Sequence, residues 1–316
     1  MKKYDILAIG ELNVDLLLNK IGGFPEVGKE IFAKDMTLAL GSSTAIFAAN
    51  AASLGARVSF LGMIGRDSFG DLVRSSLKQR GVDTSNLIEV DNAATGLTAI
   101  LNYDEDRANV TYPGAMSLMG VKDINPKVIA QAQHCHISSV FLQEKLHEEL
   151  YEIVKLVKDN GATLSMDVQF DPDETWVFDY KKILPLVDVF MPNRQELMGI
   201  THTDNVEDAI AAVKPYINVA VIKMGSEGAL LLTKEYSKLH KGWRNENVVD
   251  AIGAGDSFDS GFITSFVQGR SLEDCLYMGN LMGGVNTTAA GGTGAFSSKK
   301  AIEEAALKHF GQTIKL

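Results

Sequence analysis

One stretch of the sequence is the most informative about fold and chemistry: Val248-Val249-Asp250-Ala251-Ile252-Gly253-Ala254-Gly255-Asp256-Ser257-Phe258. Gly253 and Gly255 flank an alanine and leave little side-chain bulk at the point where an apolar helix begins. Phe258, Phe262 and Phe266 follow at intervals of four residues. This spacing predicts that one face of the helix packs on a sheet.

The turn before this helix has the features of an anion site. The backbone N–H groups of Ala254, Gly255 and Asp256 are expected to be free donors at the positive end of the helix. The Asp256 carboxylate could take a proton from a substrate hydroxyl while these amides stabilise a transferred phosphoryl group. The structural alternative is a tight turn in which Asp256 caps the helix. The residues alone leave both interpretations open.

The rest of the chain alternates short apolar strands with amphipathic or buried helices. Strands are predicted over 6–10, 58–64, 134–139, 162–167, 187–191, 219–223 and 229–232. Helices are predicted over 43–54, 69–80, 125–131, 145–160, 206–214, 254–268, 271–289 and 299–310. This alternation indicates an α/β fold with a mostly parallel central sheet and helices on both faces.

Residues 13–36 and 95–113 interrupt the alternation with β-type runs and turns. A hairpin is predicted from residues 98–103 and 107–112, joined by Asp104-Glu105-Asp106. Two such insertions could pair into a small β-sheet lid over the C-terminal ends of the main strands. We therefore expect a single domain, 1–316, with this lid inserted into its α/β core.

Composition excludes several classes of protein. The 316 residues are 46% hydrophobic and 22% charged, which is typical of a globular chain. A formal charge of −10 argues against broad binding to nucleic acid or to anionic membranes. Two cysteines indicate no disulfide framework, and no signal peptide or membrane-spanning run is evident. The cytoplasm is the expected location.

The segment around Asp256 resembles the signature of the ribokinase-like (PfkB) carbohydrate kinase family, Asp-Thr-x-Gly-Ala-Gly-Asp-x-Phe. It matches at Asp250, Gly253, Ala254, Gly255, Asp256 and Phe258, and departs at Ala251, where threonine is common. The chain length and the strand–lid–strand opening are similar as well. The resemblance implies a ribokinase-like three-layer αβα fold, ATP and Mg²⁺ as cofactors, Asp256 as catalytic base, and the turn of Gly253, Ala254 and Gly255 as anion hole.

The resemblance also implies a nucleotide and metal side. Asn193 and Glu196 match an Asn-x-x-Glu element that places Mg²⁺ and phosphate, with Glu196 acting through water. The residues themselves favour a capping box equally well. Gly225 and Gly228 match a Gly-x-x-Gly element along the nucleotide phosphates, and Lys223 beside them could pair with phosphate as a point charge.

Two further positions on this side follow from the resemblance. Asn280 matches an asparagine near the adenine. If a monovalent cation such as K⁺ binds, carbonyls near Asp250 and Ile252 would be its ligands.

On the sugar side, Asp15 matches a sugar-binding aspartate, and Asn13 is expected to help it, because vicinal hydroxyls need paired donors and acceptors. An Asx turn is the structural alternative. Gly41 retains the first glycine of a family Gly-Gly-x-x-x-Asn element, whereas Ser42 and Ile46 replace the second glycine and the asparagine. Ser42 and Ser43 are expected to hydrogen-bond substrate hydroxyls instead.

The lid is expected to add two more contacts. Arg107 and Asn109 are expected to face the substrate, and Arg107 would suit a carboxylate or a phosphate on it. The structural alternative for Arg107 is a solvated arginine on the hairpin. His134 and His136, on one side of a strand, are expected to be ordinary strand packing and not metal ligands.

Together these residues predict an ATP-dependent sugar kinase acting on a fructose-like, ribose-like or keto-deoxy-sugar-acid acceptor. A dinucleotide oxidoreductase is disfavoured, because Gly10-Glu11-Leu12-Asn13 does not supply G-x-G-x-x-G after the first strand. A non-catalytic sugar or nucleoside sensor and an adenosine-type nucleoside kinase remain alternatives. A homodimer formed through the lid sheet is the expected assembly.

Overall fold

The protein is described by a computed structural model that covers residues 2–103 and 106–316. Its main sheet has eight strands in the order β14-β13-β12-β11-β10-β9-β1-β4. These strands are β1 (Tyr4–Ile9), β4 (Val58–Leu61), β9 (Ala132–Ser138), β10 (Thr163–Asp167), β11 (Val189–Phe190), β12 (Val219–Lys223), β13 (Ala229–Thr233) and β14 (Ser237–His240). Neighbours from β4 to β12 pair in parallel, and β13 and β14 add an antiparallel end. The predicted mostly parallel α/β sheet is confirmed.

Eleven α-helices flank the sheets in the described part of the chain. They are α1 (Ser43–Ser53), α2 (Ser68–Gln79), α3 (Pro126–Ile129), α4 (Glu144–Glu148), α5 (Leu150–Asp159), α6 (Tyr180–Ile183), α7 (Arg194–Thr201), α8 (Val206–Val213), α9 (Ala254–Val267), α10 (Leu272–Asn286) and α11 (Lys299–Phe310). Strand β1 shows why they form two layers. Leu7 and Ile9 belong to one apolar core with α5, α7 and α8, whereas Ile6 and Ala8 belong to another with α1, α2 and α9. Alternate side chains of a strand point to opposite faces, so both faces are covered.

A second, four-stranded sheet forms from the two segments that interrupt the alternation. Its order is β3 (Asp35–Leu40), β2 (Asn13–Asn19), β7 (Gly96–Tyr103) and β8 (Asp106–Tyr112), with β2 and β7 pairing in parallel. The hairpin of β7 and β8 is present, although Asp104 and Glu105 of its predicted turn lie outside the described residues.

Three predicted element boundaries are wrong. Residues 58–64 form two strands in different sheets, separated at Gly62, where a Cβ would lie 2.6 Å from the Gly10 carbonyl oxygen. The second of them, β5 (Met63–Gly65), pairs with β6 (Ile88–Val90), which was not predicted. The predicted helix over 145–160 is divided between α4 and α5, and the helix over 125–131 is only the four residues of α3.

The remaining features of the fold concern membranes and metals. None of the helices in residues 2–103 and 106–316 combines the length and apolarity needed to cross a bilayer. His134 and His136 are buried, and their rings share hydrogen bonds with the Ser165 hydroxyl. Burial lowers the pKa of His134 to about 3, so it stays neutral. Among the described residues, no group of three or more His, Cys, Asp or Glu side chains is arranged to hold a metal ion.

Candidate active site

Gly253 is the N-cap residue of α9 and has the left-handed conformation, with φ 75°, which favours glycine. A Cβ there would lie 2.6 Å from the Cα of Gly292, so the position is sterically closed to a side chain as well. One prediction needs correction here: the Ala254 N–H is not free, because it donates to the Ala251 carbonyl at 3.2 Å. The N–H groups of Gly255 and Asp256 have no acceptor among the described residues. The turn therefore presents two backbone donors at the positive end of a fourteen-residue helix.

Asp256 lies in the first turn of α9 and does not cap it. The helix has no side-chain cap hydrogen bond, which removes the structural alternative for this residue. Its Oδ1 accepts from the Gln169 amide at 3.2 Å. Burial, with the Asp167 carboxylate as the second cause, raises the pKa of Asp256 to about 7. A base with this pKa changes protonation near neutral pH, where a general base works best.

Lys223 is held by two buried carboxylates that the sequence did not reveal. Its Nζ lies 2.6 Å from Asp167 Oδ2 and 3.2 Å from Asp259 Oδ2, and both carboxylates are almost fully buried. The two carboxylates and Glu196 outweigh the effect of burial and raise the pKa of Lys223, so it stays charged. Lys223 is thus part of an internal ion-pair cluster and also lines the cavity, and its pairing with phosphate stays a prediction.

Asn193 and Glu196 form the capping box of α7 that the residues favoured. Asn193 Oδ1 accepts from the Glu196 N–H at 2.9 Å, and Glu196 Oε2 accepts from the Asn193 N–H at 2.8 Å. Glu196 is nevertheless buried in the same cavity, where burial and the nearby Asp167 raise its pKa to about 8. A carboxylate that is costly to ionise in the free protein would be stabilised by an added cation, and its oxygens are the ligands that Mg²⁺ prefers. The residues present therefore fit a magnesium site at this position.

The inner face of the lid sheet forms one side of a cavity of about 510 Å³. Side chains from β2, β7 and β8 that share one face line it: Asn13, Asp15, Thr98, Ile100, Arg107, Asn109 and Thr111. Asn13 donates to Asp15 Oδ1 at 3.2 Å and to Thr98 Oγ1 at 2.9 Å. Burial raises the pKa of Asp15 to about 6, partly offset by Asn13 and by the charge of Arg107. These residues are brought together as predicted, with Asp256 in the lining of the same cavity.

The Gly41–Ser43 element acts mainly through its backbone. A Cβ at Gly41 would lie 2.2 Å from Asp15 Oδ1, so this glycine makes room for Asp15 and does not itself line the cavity. Ser42 has φ 71°, a conformation that favours glycine, and its hydroxyl donates to the Glu11 carbonyl at 2.7 Å and accepts from the Ala45 N–H. The expectation that the Ser42 hydroxyl binds substrate is revised, because these two bonds occupy it.

Ser43 and Glu11 complete the floor of this cavity. The Ser43 hydroxyl is near enough to Asp256 to lower its pKa slightly. Glu11 was not predicted; it is almost fully buried, it accepts from the Thr44 N–H at 3.1 Å, and burial raises its pKa. A short polar sequence after the first strand was the available signal for Glu11.

A second cavity of about 570 Å³ adjoins the first. The two share Lys223, Gly225, Ala251, Ala254 and Gly255 in their linings, so the anion turn lies between them. The second cavity is otherwise lined by residues that include Gly228, Trp243, Arg244, Phe258 and Asn280. The predicted nucleotide residues Gly225, Gly228 and Asn280 are therefore brought together.

Asp250 and Ile252 make hydrogen bonds that stabilise the turn before α9. The Asp250 carboxylate accepts from the N–H groups of Ile252 and Gly291, each at 2.9 Å. The Ile252 carbonyl accepts from Asn286 Nδ2 at 2.7 Å. That carbonyl, expected as a cation ligand, thus already has one partner.

A buried polar network joins this turn to α1. Asn50 Nδ2 donates to Ser257 Oγ and to the Gly292 carbonyl, both at 2.9 Å. Ser257 Oγ donates to Asn286 Oδ1 at 2.8 Å, and Asn286 in turn donates to Ile252. Hydrogen bonds therefore connect helices α1, α9 and α10 to the loop that carries the anion site.

The chain is similar to known sugar kinases in sequence and in structure. The chain is 28% identical over 303 residues to the 2-dehydro-3-deoxygluconokinase of Bacillus subtilis, covering 92% of this chain and 91% of that protein. Among solved structures, a probable sugar kinase from Rhizobium etli superposes with a TM-score of 0.83 at 25% identity, covering 98% of this chain and 99% of the other. A putative ribokinase II from E. coli, solved in complex with ATP and Mg²⁺, gives 0.84 at 22% identity, covering 97% and 100%.

The sequence profile of the pfkB family carbohydrate kinases matches residues 3–299, nearly the whole chain. The predicted ribokinase-like three-layer fold is confirmed by the structural neighbours. The chain belongs to the pfkB family of carbohydrate kinases.

Proposed function

We propose that this ATP-dependent sugar kinase uses Asp256 to take the proton of an acceptor hydroxyl as that oxygen attacks the γ-phosphoryl group of ATP. The observation that carries the proposal is the position of the Asp256 carboxylate, which does not cap its helix. It lies in the turn that carries the free N–H groups of Gly255 and Asp256, where the two cavities meet. The acceptor would occupy the cavity under the lid, and ATP the cavity lined by Asn280. Both reactants then reach the same anion turn.

Each part of this arrangement lowers the barrier in a different way. The Asp256 carboxylate supplies general-base catalysis, worth about 10²–10⁴-fold. The two amides stabilise the charge of the transferred group, at roughly 3 kcal/mol for each well-placed donor. Asn13 and Asp15 orient the acceptor, and the lid excludes water, so that ATP is not hydrolysed. Asn193 and Glu196 would hold Mg²⁺, which neutralises phosphate charge when bound.

The acceptor class depends on the charge of the lid cavity. Apart from Lys223, which its carboxylates neutralise, Arg107 is the only cationic side chain that lines this cavity in the described residues. A keto-deoxy sugar acid would place its carboxylate at Arg107, whereas a fructose-like or ribose-like acceptor would not need it. Arg107→Gln should therefore abolish use of an acid acceptor and spare a neutral one.

The experiment that tests the function is ADP release measured with fructose, ribose, keto-deoxygluconate, tagatose and adenosine. We expect turnover with at least one sugar, and a loss of about 10²–10⁴-fold in kcat for Asp256→Asn. Calorimetry of that variant should still show ATP and sugar binding. Binding without turnover in the wild type would instead support a silent sensor, and turnover of adenosine alone would support a nucleoside kinase.

We also propose that the lid mediates a homodimer. Its outer face carries Met36, Leu38, Val110 and Tyr112, all exposed, and their strand partners Leu16, Leu18 and Ala99 extend the same apolar face. A second copy of the same face would cover these side chains symmetrically. Sedimentation should give a dimer that Val110→Lys dissociates; a monomeric wild type would exclude it.

A monovalent cation and a cytoplasmic location complete the proposal. The cation would bind beside Asp250 and Ile252, and turnover in K⁺ compared with choline tests it. Cys135 and Cys275 are free and buried, which fits a reducing compartment.

A further inference from the structure

Gln169 lies in the loop that follows β10 and reaches the catalytic carboxylate directly. Its Nε2 donates to Asp256 Oδ1 at 3.2 Å and to Asp167 Oδ2 at 2.8 Å. One amide nitrogen carries two hydrogens, so both bonds can form at once. Gln169 also lines the acceptor cavity. A neutral donor therefore links the base to the ion-pair cluster of Lys223.

The backbone of Gln169 is in a conformation that glutamine rarely adopts. Its φ is 62°, in the left-handed region that favours glycine. Such a conformation persists where the surroundings determine it, and it is frequent at active sites. The two bonds of the side chain amide are the contacts that require glutamine here, since a glycine would fit the backbone more easily.

The charges around Asp256 show why a neutral donor matters. The groups that face its carboxylate from the surrounding elements are Asp167, Lys223, Glu11, Asp259 and the hydroxyl of Ser43, and Glu196 lines the same cavity. The acidic groups oppose ionisation of Asp256. The single cation among them, Lys223, is already paired with Asp167 and Asp259. An N–H donor to Asp256 favours the ionised form without adding another charge to the cluster.

We infer that Gln169 is a positioning residue for the phosphoryl transfer: its amide fixes Asp256 through Oδ1, leaves Oδ2 for the acceptor hydroxyl, and favours the ionised carboxylate. This inference rests on the proposed role of Asp256. It differs from a substrate-binding role, which would change the acceptor KM and not the ionisation of the base.

The kinetic test is the pH profile of kcat/KM for Gln169→Leu and Gln169→Glu. Loss of the donor should move the acidic limb of the Gln169→Leu profile upward by about one pH unit. Gln169→Glu loses the donor and adds a like charge, so its limb should move further. An unmoved limb in both variants, or a change confined to the acceptor KM, would overturn the inference.

A second test does not need turnover. The ¹³C carboxyl signal of Asp256, assigned with Asp256→Asn, is titrated in wild type and in Gln169→Gly. The glycine variant relieves the left-handed backbone, so its Tm should exceed that of Gln169→Leu while the Asp256 titration moves upward. Gln79→Leu, at an exposed position on α2, is the matched control and should move neither. If no acceptor is phosphorylated, the proposed function fails, yet this titration still decides the link between Gln169 and Asp256; an unmoved titration refutes it.

Discussion

Replacing Lys223 by methionine should be among the most destabilising single changes in this protein. The substitution keeps much of the side-chain volume but removes the cation that lies 2.6 Å from Asp167 and 3.2 Å from Asp259. The carboxylates are 0% and 1% exposed, so water cannot replace the lost partner. Removing one member of a buried ion pair costs about 3–5 kcal/mol, because the remaining charge is uncompensated. That is about a third to a half of the stability of a typical domain.

Urea unfolding at pH 7.5 measures this loss, and in a chain of 316 residues it corresponds to a fall in Tm of about 5–7 °C. Lys155→Met is the matched control, because Lys155 pairs with Asp159 on the exposed face of α5, where both side chains are more than half exposed. That variant should lose no more than about 0.5 kcal/mol. Adding Asp167→Asn to Lys223→Met should recover part of the loss. A Lys223 variant as stable as the Lys155 variant would refute the buried cluster.

Three further predictions concern the anion turn and the acceptor element. In the wild type, kcat/KM should fall as the pH drops below about 7, because Asp256 must be ionised to accept a proton. At pH 6 about a tenth of the Asp256 carboxyl groups remain ionised. A pH profile that is flat from pH 6 to 8 would contradict the assignment of Asp256 as the base. Gly253→Ala forces a side chain onto φ 75° and to within 2.6 Å of Gly292. Turnover in the ADP assay should therefore fall at least about 10-fold, with the circular dichroism spectrum unchanged. Full activity would mean that the turn is not the anion site. Ser42→Ala keeps φ 71° but loses both hydrogen bonds of the hydroxyl, so urea unfolding should show a free energy of unfolding lower by about 1–2 kcal/mol. Ser42→Gly also relieves the backbone, so its free energy of unfolding should fall by less. Equal losses in the two variants would argue against backbone strain.

Periodic and local signals allowed much of this fold to be predicted. The helix after Gly253 begins where the side-chain-poor turn predicts, since only a residue tolerant of positive φ fits the N-cap. The lid strands were recognised because their β-type runs interrupt the regular alternation of strands and helices. The error at residues 58–64 has a physical cause: an apolar run looks the same whether it forms one strand or passes at Gly62 from one sheet to another.

The candidate site was predictable where a residue acts near its own motif, and not where it depends on distant partners. Lys223 and Asp167 are 56 positions apart, so no local pattern showed that this lysine is paired with a buried carboxylate. Asp167 ends a parallel strand, and Asp259 lies one helical turn beyond Asp256, so both positions carried a usable signal. The left-handed backbone of Gln169 had no signal in the sequence, because the residue type does not reveal its backbone conformation.

The chain of amides and hydroxyls from Asn50 to Ile252 has a consequence for anyone who wishes to change which molecule this enzyme accepts. Helix α1 begins at the cavity under the lid, yet hydrogen bonds tie its interior to the loop that we propose as the phosphoryl site. Remodelling that helix would disturb both reactants together. Redesign should therefore begin on the lid strands, whose inward side chains line only the cavity proposed for the acceptor.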